Sequence, residues 1–299
     1  MSKRKYYAFK SWPKLPYAGE FHPPTNAETP LSGSWSTYYI QHNDKGGFST
    51  LDGKPIKLKI LHANKVNWHA QLPKVQRVLK NISKNEKTIA KYWGTGPATK
   101  QWTPIADILI DTYGVEAPRA GRMLAALNAG LNDAFVVSWY LKFKWLVARP
   151  NQLDDELVTV LCTPRHPTYP SGHAAVAGAA EVILSYFFPG EKEKLRQLAN
   201  ECAQSRLYAG VHFPIDNDEG LKLGKQIGQI VVDTLQTERN ADGHPIDQPF
   251  TCNKDANLIP PPYEQAIPFD FDTECQSLVE GNQTSFQHNH HVPKPKLFW

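Results

Sequence analysis

Residues 163–188 read TPRHPTYPSGHAAVAGAAEVILSYFF, a proline-rich loop followed by an apolar run long enough for about four helical turns. Three prolines in the first eight residues stiffen the incoming chain and keep the residues before them out of helical geometry. We therefore expect a helix to begin at Ser171 and Gly172. The first amide groups of a helix have no intrahelical partner and lie at the positive end of its dipole. This helix start is predicted to form an anion-binding cradle, which Gly172 leaves open to close approach.

The same helix start has a simpler structural interpretation. Ser171 could serve only as the N-cap, with His173 a surface residue of the first turn. The stretch alone does not separate the two interpretations. An anion site would also need positive charge from elsewhere in the chain.

Composition and charge narrow the class of protein. The chain has 299 residues, of which 41% are hydrophobic and 21% are charged, ordinary values for a globular protein with a sizeable core. A net charge of +4 is too weak to predict binding to nucleic acid. We expect the partner to be a small anion that binds at one local site. The basic N-terminus is followed by no apolar region, and no apolar run approaches the length of a membrane span. We expect neither a signal peptide nor a membrane span, and hence a soluble, cytoplasmic protein.

The four cysteines, Cys162, Cys202, Cys252 and Cys275, are scattered and form no CxxC pair. Disulfides are rare under the reducing conditions of the cytoplasm. All four are therefore interpreted as reduced thiols.

The pattern along the chain predicts a single all-α domain, residues 1–299, with an irregular arm at each end. Residues 1–65 are rich in Pro, Gly, Tyr and Trp, and KPIKLKIL at 54–61 is their one convincing strand candidate. Residues 66–236 are predicted to form a helical bundle, and residues 237–299 return to proline-rich irregular chain. Apolar residues recur at helical spacing in three series: Met123, Leu127, Leu131 and Phe135; Val176, Ala180, Ile183 and Phe187; and Leu223, Ile227, Ile230 and Val231.

The C-terminal arm carries two weaker signals. His288, His290 and His291 could bind a metal ion, but a solvated tail is the favoured interpretation. Asn282 begins an Asn-Gln-Thr glycosylation acceptor, which means little without a secretory signal.

One segment that supplies positive charge is SWYLKFKWLVARPNQ, residues 138–152. Lys142 and Arg149 lie about two helical turns apart, so both are predicted to project from one helical face. Pro150 is expected to end that helix just beyond Arg149.

A second charged segment is QSRLYAGVHFPID, residues 204–216. Arg206 precedes His212, and Asp216 follows His212 by four residues at another predicted helix start. This spacing lets the carboxylate orient the imidazole and determine its tautomer.

Taken singly, these charged residues have ordinary explanations. Lys142 and Arg149 could be surface residues with partly buried stems, and His212 a core histidine. Taken with residues 171–173, however, they make up three cations, two histidines, a carboxylate, a hydroxyl and a helix-start amide. A cation about 4 Å from a unit negative charge contributes roughly 4 kcal/mol at an intermediate dielectric. Three cations would repel one another without an anion, so the set predicts an oxyanion site.

The three segments also resemble, in order, the motifs of one superfamily. That superfamily is the type 2 phosphatidic acid phosphatase and vanadium-dependent haloperoxidase superfamily. The first similar motif is Lys, six residues and Arg-Pro (142–150), and the second is Pro-Ser-Gly-His (170–173). The third is Ser-Arg, five residues, His, three residues and Asp (205–216). The resemblance covers roughly residues 85–236. It implies an oxyanion pocket within a helical bundle.

The resemblance implies a role for each motif residue. His212, oriented by Asp216, would bond to the vanadium of vanadate or to phosphorus, and His173 would be the acid–base residue. The groups that would hold the oxygens of the anion are Lys142, Arg149, Ser171, Gly172 and Arg206.

Details outside the motifs favour the haloperoxidase branch. His166 resembles the histidine that bromide-oxidising members carry where chloride-oxidising members have phenylalanine, and Trp139 matches a tryptophan near the family's halide site. Plain packing would explain both residues equally well. Ala148 departs from the aromatic residue that is common before Arg-Pro, and the characterised members are usually longer.

Three functions follow from the resemblance. The first is a vanadate-dependent haloperoxidase that oxidises bromide or iodide with hydrogen peroxide. The second is a soluble phosphatase in which His212 attacks a phosphate ester to form a phosphohistidine, with phosphate instead of vanadate in the site. The third is a protein that binds phosphate or sulfate without catalysis, although such a protein would need neither histidine. The sequence leaves a homo-oligomer open.

Overall fold

Helix α5 (Gly172–Phe187) lies at the centre of the fold in the computed structural model, which describes residues 7–258, 263–266 and 275–281. Its alanines, glycines and branched aliphatic residues are buried on nearly every side. A helix that is apolar all round is stable only when other elements cover all of its faces. The start of α5, where the anion site was predicted, is therefore fixed inside the molecule.

Helix α7 (Pro214–Thr237) packs closely against α5 through a row of glycines. A Cβ atom at Gly220 would lie 2.6 Å from the Ser171 carbonyl oxygen, and one at Gly224 would collide with the Ala175 carbonyl. Only glycine allows the two backbones to approach this closely. The Ser171 amide also donates to the Asp216 carbonyl oxygen, at 2.9 Å, so the first turns of the two helices are held side by side.

The prediction of an all-α fold is confirmed, because the strands in the described ranges are the two of a short hairpin. The elements are α1 (Leu72–Lys80), α2 (Lys84–Gly94), α3 (Trp102–Tyr113), α4 (Ala117–Trp145) and α6 (Lys192–Tyr208), with strands β1 (Ile40–Asn43) and β2 (Gly47–Thr50). Helices α4 and α6 cover much of the rest of α5, and α1 and α2 pack on α6.

The hairpin shows that the predicted strand at 54–61 is wrong. Pro55 makes only an isolated bridge to Ser49, and the chain beyond it is irregular. Proline lacks the amide that a ladder requires, whereas the Gly46–Gly47 turn closes β1 on β2. The hairpin packs on α4, where Phe48 meets Tyr140 with ring centroids 5.3 Å apart.

The C-terminal residues 275–281 return to the core beside residues 159–162. The Thr159 amide donates to the Leu278 carbonyl at 3.2 Å, and Cys162 and Cys275 form a disulfide with Cα atoms 5.6 Å apart. The interpretation of all four cysteines as reduced thiols is therefore wrong for this pair, while Cys202 and Cys252 are free. A separation of 113 residues hid the pairing, since it depends on the path of an irregular segment.

Within the described residues, no helix is long and apolar enough to cross a membrane. The predictions for Asn282, His288, His290 and His291 lie outside the described residues.

Candidate oxyanion-binding site

Lys142 reaches the site from the last turn of α4 and is completely buried. Its Nζ donates to the carbonyl oxygens of Pro167 and Thr168, at 2.9 and 3.0 Å. Burial, and secondarily the neighbouring Arg149, lower the pKa of Lys142 well below its usual value. A buried ammonium of this kind would be stabilised by a negative charge.

Arg149 reaches the same site from the loop after α4, so the prediction that it shares a helical face with Lys142 is wrong. The helix ends at Trp145, and Leu146 has a left-handed backbone with φ of 55°. Arg149 precedes Pro150, whose ring disfavours helical geometry at the residue before it. The predicted helix end was thus placed about one turn too late.

The Arg149 guanidinium is fully buried and is held by neutral acceptors. It donates to the backbone oxygens of His166 and Val211, at 2.8 and 2.7 Å, and approaches His166 Nδ1 at 3.0 Å. These acceptors position the guanidinium but leave its positive charge unneutralised.

Arg206 comes from the end of α6 and is 2% exposed. Its Nε and Nη1 atoms are buried and have no hydrogen-bond partner among the described residues. Burial lowers the pKa of Arg206 to about 10. A side chain at Gly94 would collide with this guanidinium, so glycine at the end of α2 leaves room for it. Buried donors of this kind are rarely left unsatisfied, and an anion would satisfy them.

His212 and Asp216 form a buried pair at the start of α7. His212 Nδ1 lies 3.0 Å from Asp216 Oδ2, and the Phe213 amide donates to the same oxygen at 2.9 Å. Burial, opposed by hydrogen bonds, raises the pKa of Asp216 to about 6. Burial and the nearby Arg149 lower the pKa of His212, which favours the neutral ring. With its proton on Nδ1, the imidazole has its lone pair on Nε2.

Thr168 contacts both residues of this pair, and it was not predicted from the sequence. Its hydroxyl donates to Asp216 Oδ2 through a short hydrogen bond and lies 3.0 Å from His212 Nδ1. The Thr168 side chain is fully buried. Its position in the quoted loop, three residues before Ser171, was visible, but no spacing rule connects it with Asp216.

The start of α5 contributes the remaining predicted residues. Ser171 is the N-cap, and its hydroxyl accepts from the Ala174 amide at 3.4 Å. A Cβ at Gly172 would lie 3.0 Å from the Trp139 ring, so a larger residue here would require the ring to shift by a few tenths of an ångström. His173 bonds to the Trp93 backbone, and its buried Nε2 has no partner among the described residues. Burial and Arg206 lower the pKa of His173, so it is neutral in the absence of an anion.

His166 and Trp139 lie against each other beside the cations, with ring centroids 4.6 Å apart. Lys142 Nζ lies 5.6 Å from the centre of the Trp139 ring. The two residues predicted to serve the halide are therefore adjacent. His166 also approaches Arg149, as described above. Burial and the charges of Lys142 and Arg149 lower the pKa of His166, which keeps the ring neutral.

The chemistry of this donor set fits an oxyanion. Lys142, Arg149 and Arg206 bring three positive charges into the interior, and within the described part of the chain Asp216 is the one carboxylate paired with His212. The described residues contain no cluster of His, Cys, Asp and Glu suited to a metal cation. The unpartnered atoms of Arg206 and His173 are the groups that phosphate or vanadate oxygens would satisfy.

Comparisons with known proteins find similarity over the part of the chain that carries the motifs. Residues 122–239 match the model of the PAP2 superfamily. The chain is similar to a vanadium-dependent bromoperoxidase of Corallina pilulifera, with 35% identity over 92 residues that cover 22% of this chain and 15% of that protein. It is also similar to a non-specific acid phosphatase of Providencia stuartii, with 35% identity over 54 residues, or 18% of this chain and 22% of the phosphatase.

Among solved structures, the fold is similar to that of a bacterial vanadium-dependent iodoperoxidase. The two share 25% identity and a TM-score of 0.52, over 70% of this chain and 62% of that one. The helical core, over residues 122–239, therefore matches the PAP2 superfamily, as the three motifs predicted. The aligned segments span only a small part of each curated relative.

Proposed function

We propose that this protein is a vanadate-dependent haloperoxidase that oxidises bromide or iodide with hydrogen peroxide. The observation that carries the proposal is the buried cluster of three cations around His212, with the Nε and Nη1 donors of Arg206 unpartnered among the described residues. Such a cluster is costly to bury unless an anion compensates it. The similarity to a bromoperoxidase and an iodoperoxidase supports vanadate as that anion.

Each residue has a distinct task in this proposal. Lys142, Arg149 and Arg206 neutralise the oxyanion, and the helix start at Ser171–Gly172 adds backbone donors. Bound vanadate would supply a Lewis-acidic centre that activates hydrogen peroxide toward halide. The Nε2 lone pair of His212 would be the protein's ligand to that centre, and Asp216 and Thr168 would keep the proton on Nδ1.

His173 is the proposed acid–base residue. Its Nε2 is buried without a partner among the described residues, so it is available to accept a proton from an incoming peroxide and to return it. The three cations disfavour a proton on the His173 ring, and an anion beside them would offset this repulsion. The pKa of His173 would then rise toward the usual value for histidine. Proton transfer near pH 7 then becomes feasible.

We propose that His166 and Trp139 contact the halide. Their rings form a polarizable wall next to Lys142. Bromide and iodide give up an electron pair more readily than chloride. We expect bromide or iodide oxidation without appreciable chloride oxidation.

The second candidate is a phosphatase, which the similarity to the Providencia stuartii acid phosphatase supports. His212 Nε2 would attack phosphorus to form a phosphohistidine, and His173 would protonate the leaving oxygen and later activate water. Vanadate resembles the five-coordinate transition state of this reaction, so the same residues suit both functions.

Parallel assays on the purified protein separate these functions. One assay supplies vanadate, hydrogen peroxide and chloride, bromide or iodide, and the other supplies a generic phosphomonoester without vanadate. Bromide- or iodide-dependent turnover that requires vanadate supports the haloperoxidase. Ester hydrolysis that vanadate inhibits supports the phosphatase. Oxyanion binding without turnover in either assay would mean that the protein only binds the anion.

A further inference from the structure

Glu28 lies in the N-terminal arm, and its backbone is hydrogen-bonded to residues at the edge of the site. Its amide donates to the Arg165 carbonyl at 2.8 Å, and its carbonyl accepts from the Trp139 indole at 3.1 Å. These two contacts join an otherwise irregular segment to the loop before His166 and to the last part of α4. The backbone of Glu28 is thus placed by the same elements that place the site.

The Glu28 carboxylate faces the outer nitrogen of His166. Glu28 Oε2 lies 3.7 Å from His166 Nε2, while His166 Nδ1 lies 3.0 Å from Arg149 Nη2. Glu28, His166 and Arg149 therefore form a row that runs from the surface to the buried cations.

Glu28 also lines a cavity of about 590 Å³ that opens beside the site. Gly94 lines the same cavity, and a Cβ atom at Gly94 would lie 2.4 Å from Arg206 Nη1, so the cavity reaches the Arg206 side of the site and we take it as the entrance. Glu20 lines it too but is paired with Arg165, at 2.9 Å. The side chain of Glu28 is 57% exposed and has no Lys or Arg partner among the described residues.

We propose that Glu28 is a specificity-determining residue. Its carboxylate repels, at the entrance, substrates that carry additional negative charge. The inference rests on the proposed function, because it assumes that the reacting oxyanion is bound by the buried cations. Glu28 selects substrates whose remaining part is neutral or cationic, whether that part is the alcohol of a phosphate ester or an organic acceptor of oxidised halide.

The physical basis is repulsion across a partly solvated entrance. A unit negative charge some 8 Å from the Glu28 carboxylate, at a dielectric between that of a protein surface and water, loses roughly 10-fold in affinity. A small oxyanion held inside by the three cations is affected less, because its charge is neutralised locally. Discrimination between a small and an extended anion is therefore the sensitive measurement.

The test compares binding of inorganic phosphate and pyrophosphate by calorimetry. In the wild type we expect discrimination against pyrophosphate, and in Glu28→Gln and Glu28→Ala we expect the ratio of the two dissociation constants to shift about 10-fold in favour of pyrophosphate. Glu28→Asp keeps the charge and should keep most of the discrimination. Asp44→Asn, in the turn of the hairpin, makes the same change in net charge away from the entrance and should leave the ratio unchanged.

An unchanged ratio in Glu28→Gln and Glu28→Ala, with phosphate binding intact, would overturn the role of Glu28 and leave the proposed function standing. Loss of discrimination in Asp44→Asn to the same extent would also overturn it, since the effect would then follow net charge alone. Absence of turnover in the wild type, with the ratio shifted as expected, would count against the proposed function alone.

Discussion

Two arginine clusters in this molecule, a partly buried one at Arg122 and a buried one at Arg206, surround their positive charge in opposite ways. Arg122 donates to both oxygens of Asp247 and to Glu238, each at 2.7 Å, and these carboxylates raise its pKa. Arg206, by contrast, has two buried nitrogens without a partner among the described residues, and burial lowers its pKa to about 10. The first arginine is neutralised by the protein and the second is not.

The difference separates a structural ion network from a binding site. The Arg122 network ties α4 to the chain that follows α7, and its charges are balanced within the fold. The site around Arg206 collects charge that the fold does not balance, at a cost in stability. That cost is explained if the site exists to hold an anion from outside.

The largest effect is expected from His212→Ala. This variant removes the nitrogen proposed to bond to vanadium or to attack phosphorus, so turnover should vanish in both assays and vanadate should bind much more weakly. Asp216→Asn should have a smaller effect of the same kind, because it disturbs the tautomer of His212 without removing the ring. Full activity of His212→Ala in both assays would disprove its assigned role.

His173→Ala should slow turnover by roughly 10² to 10⁴ while the oxyanion remains bound. The reason is that Lys142, Arg149 and Arg206 still neutralise the anion, whereas the proton-transfer group is gone. Binding of vanadate by calorimetry and turnover at saturating vanadate would be measured on the same preparation. A parallel loss of binding and turnover would instead make His173 a binding residue.

The two arginines provide the direct test of the comparison. Arg206→Gln should weaken phosphate binding by about 10² to 10³, since one close cation is lost from the site. In anion-free buffer it should not lower thermal stability, because an uncompensated buried charge is removed. Arg122→Gln should do the reverse, with a loss of about 1–2 kcal/mol in the free energy of unfolding and unchanged phosphate affinity. Equal effects of the two variants on both quantities would erase the distinction between the clusters.

The smallest effect is expected from Thr168→Val, which removes the hydroxyl from the His212–Asp216 pair at nearly constant volume. Supporting residues of this kind typically contribute about 10-fold to activity. We expect the loss in kcat with little change in KM, and recovery in Thr168→Ser. Thr163→Val is a matched control, because the Thr163 hydroxyl accepts from Asn151 at 2.8 Å in the same loop. A similar loss of kcat in the control would reduce Thr168 to a packing role.

Much of the fold could be predicted from the sequence because its signals are local. Helical spacing located α4, α5 and α7, and the prolines before Ser171 located the start of α5. His212 and Asp216 lie on one turn of chain, so their spacing was enough to predict their contact.

The parts that were missed depend on contacts between distant segments. Glu28 reaches the site through bonds to Arg165 and Trp139, and the Cys162–Cys275 disulfide joins chain segments 113 residues apart. No periodicity connects such segments. The placement of Arg149 failed for a different reason, since Leu146 adopts a left-handed backbone that its residue type does not favour.

Calorimetric titration of the purified wild type with orthovanadate tests the central claim most directly, namely that the buried Lys142, Arg149 and Arg206 form a site for a tetrahedral oxyanion. We predict saturable binding of one vanadate per chain, competition by phosphate, and a rise in unfolding temperature that follows the occupancy of the site. If the folded wild type binds neither anion at millimolar concentration, the three cations are not an oxyanion site and the account is wrong.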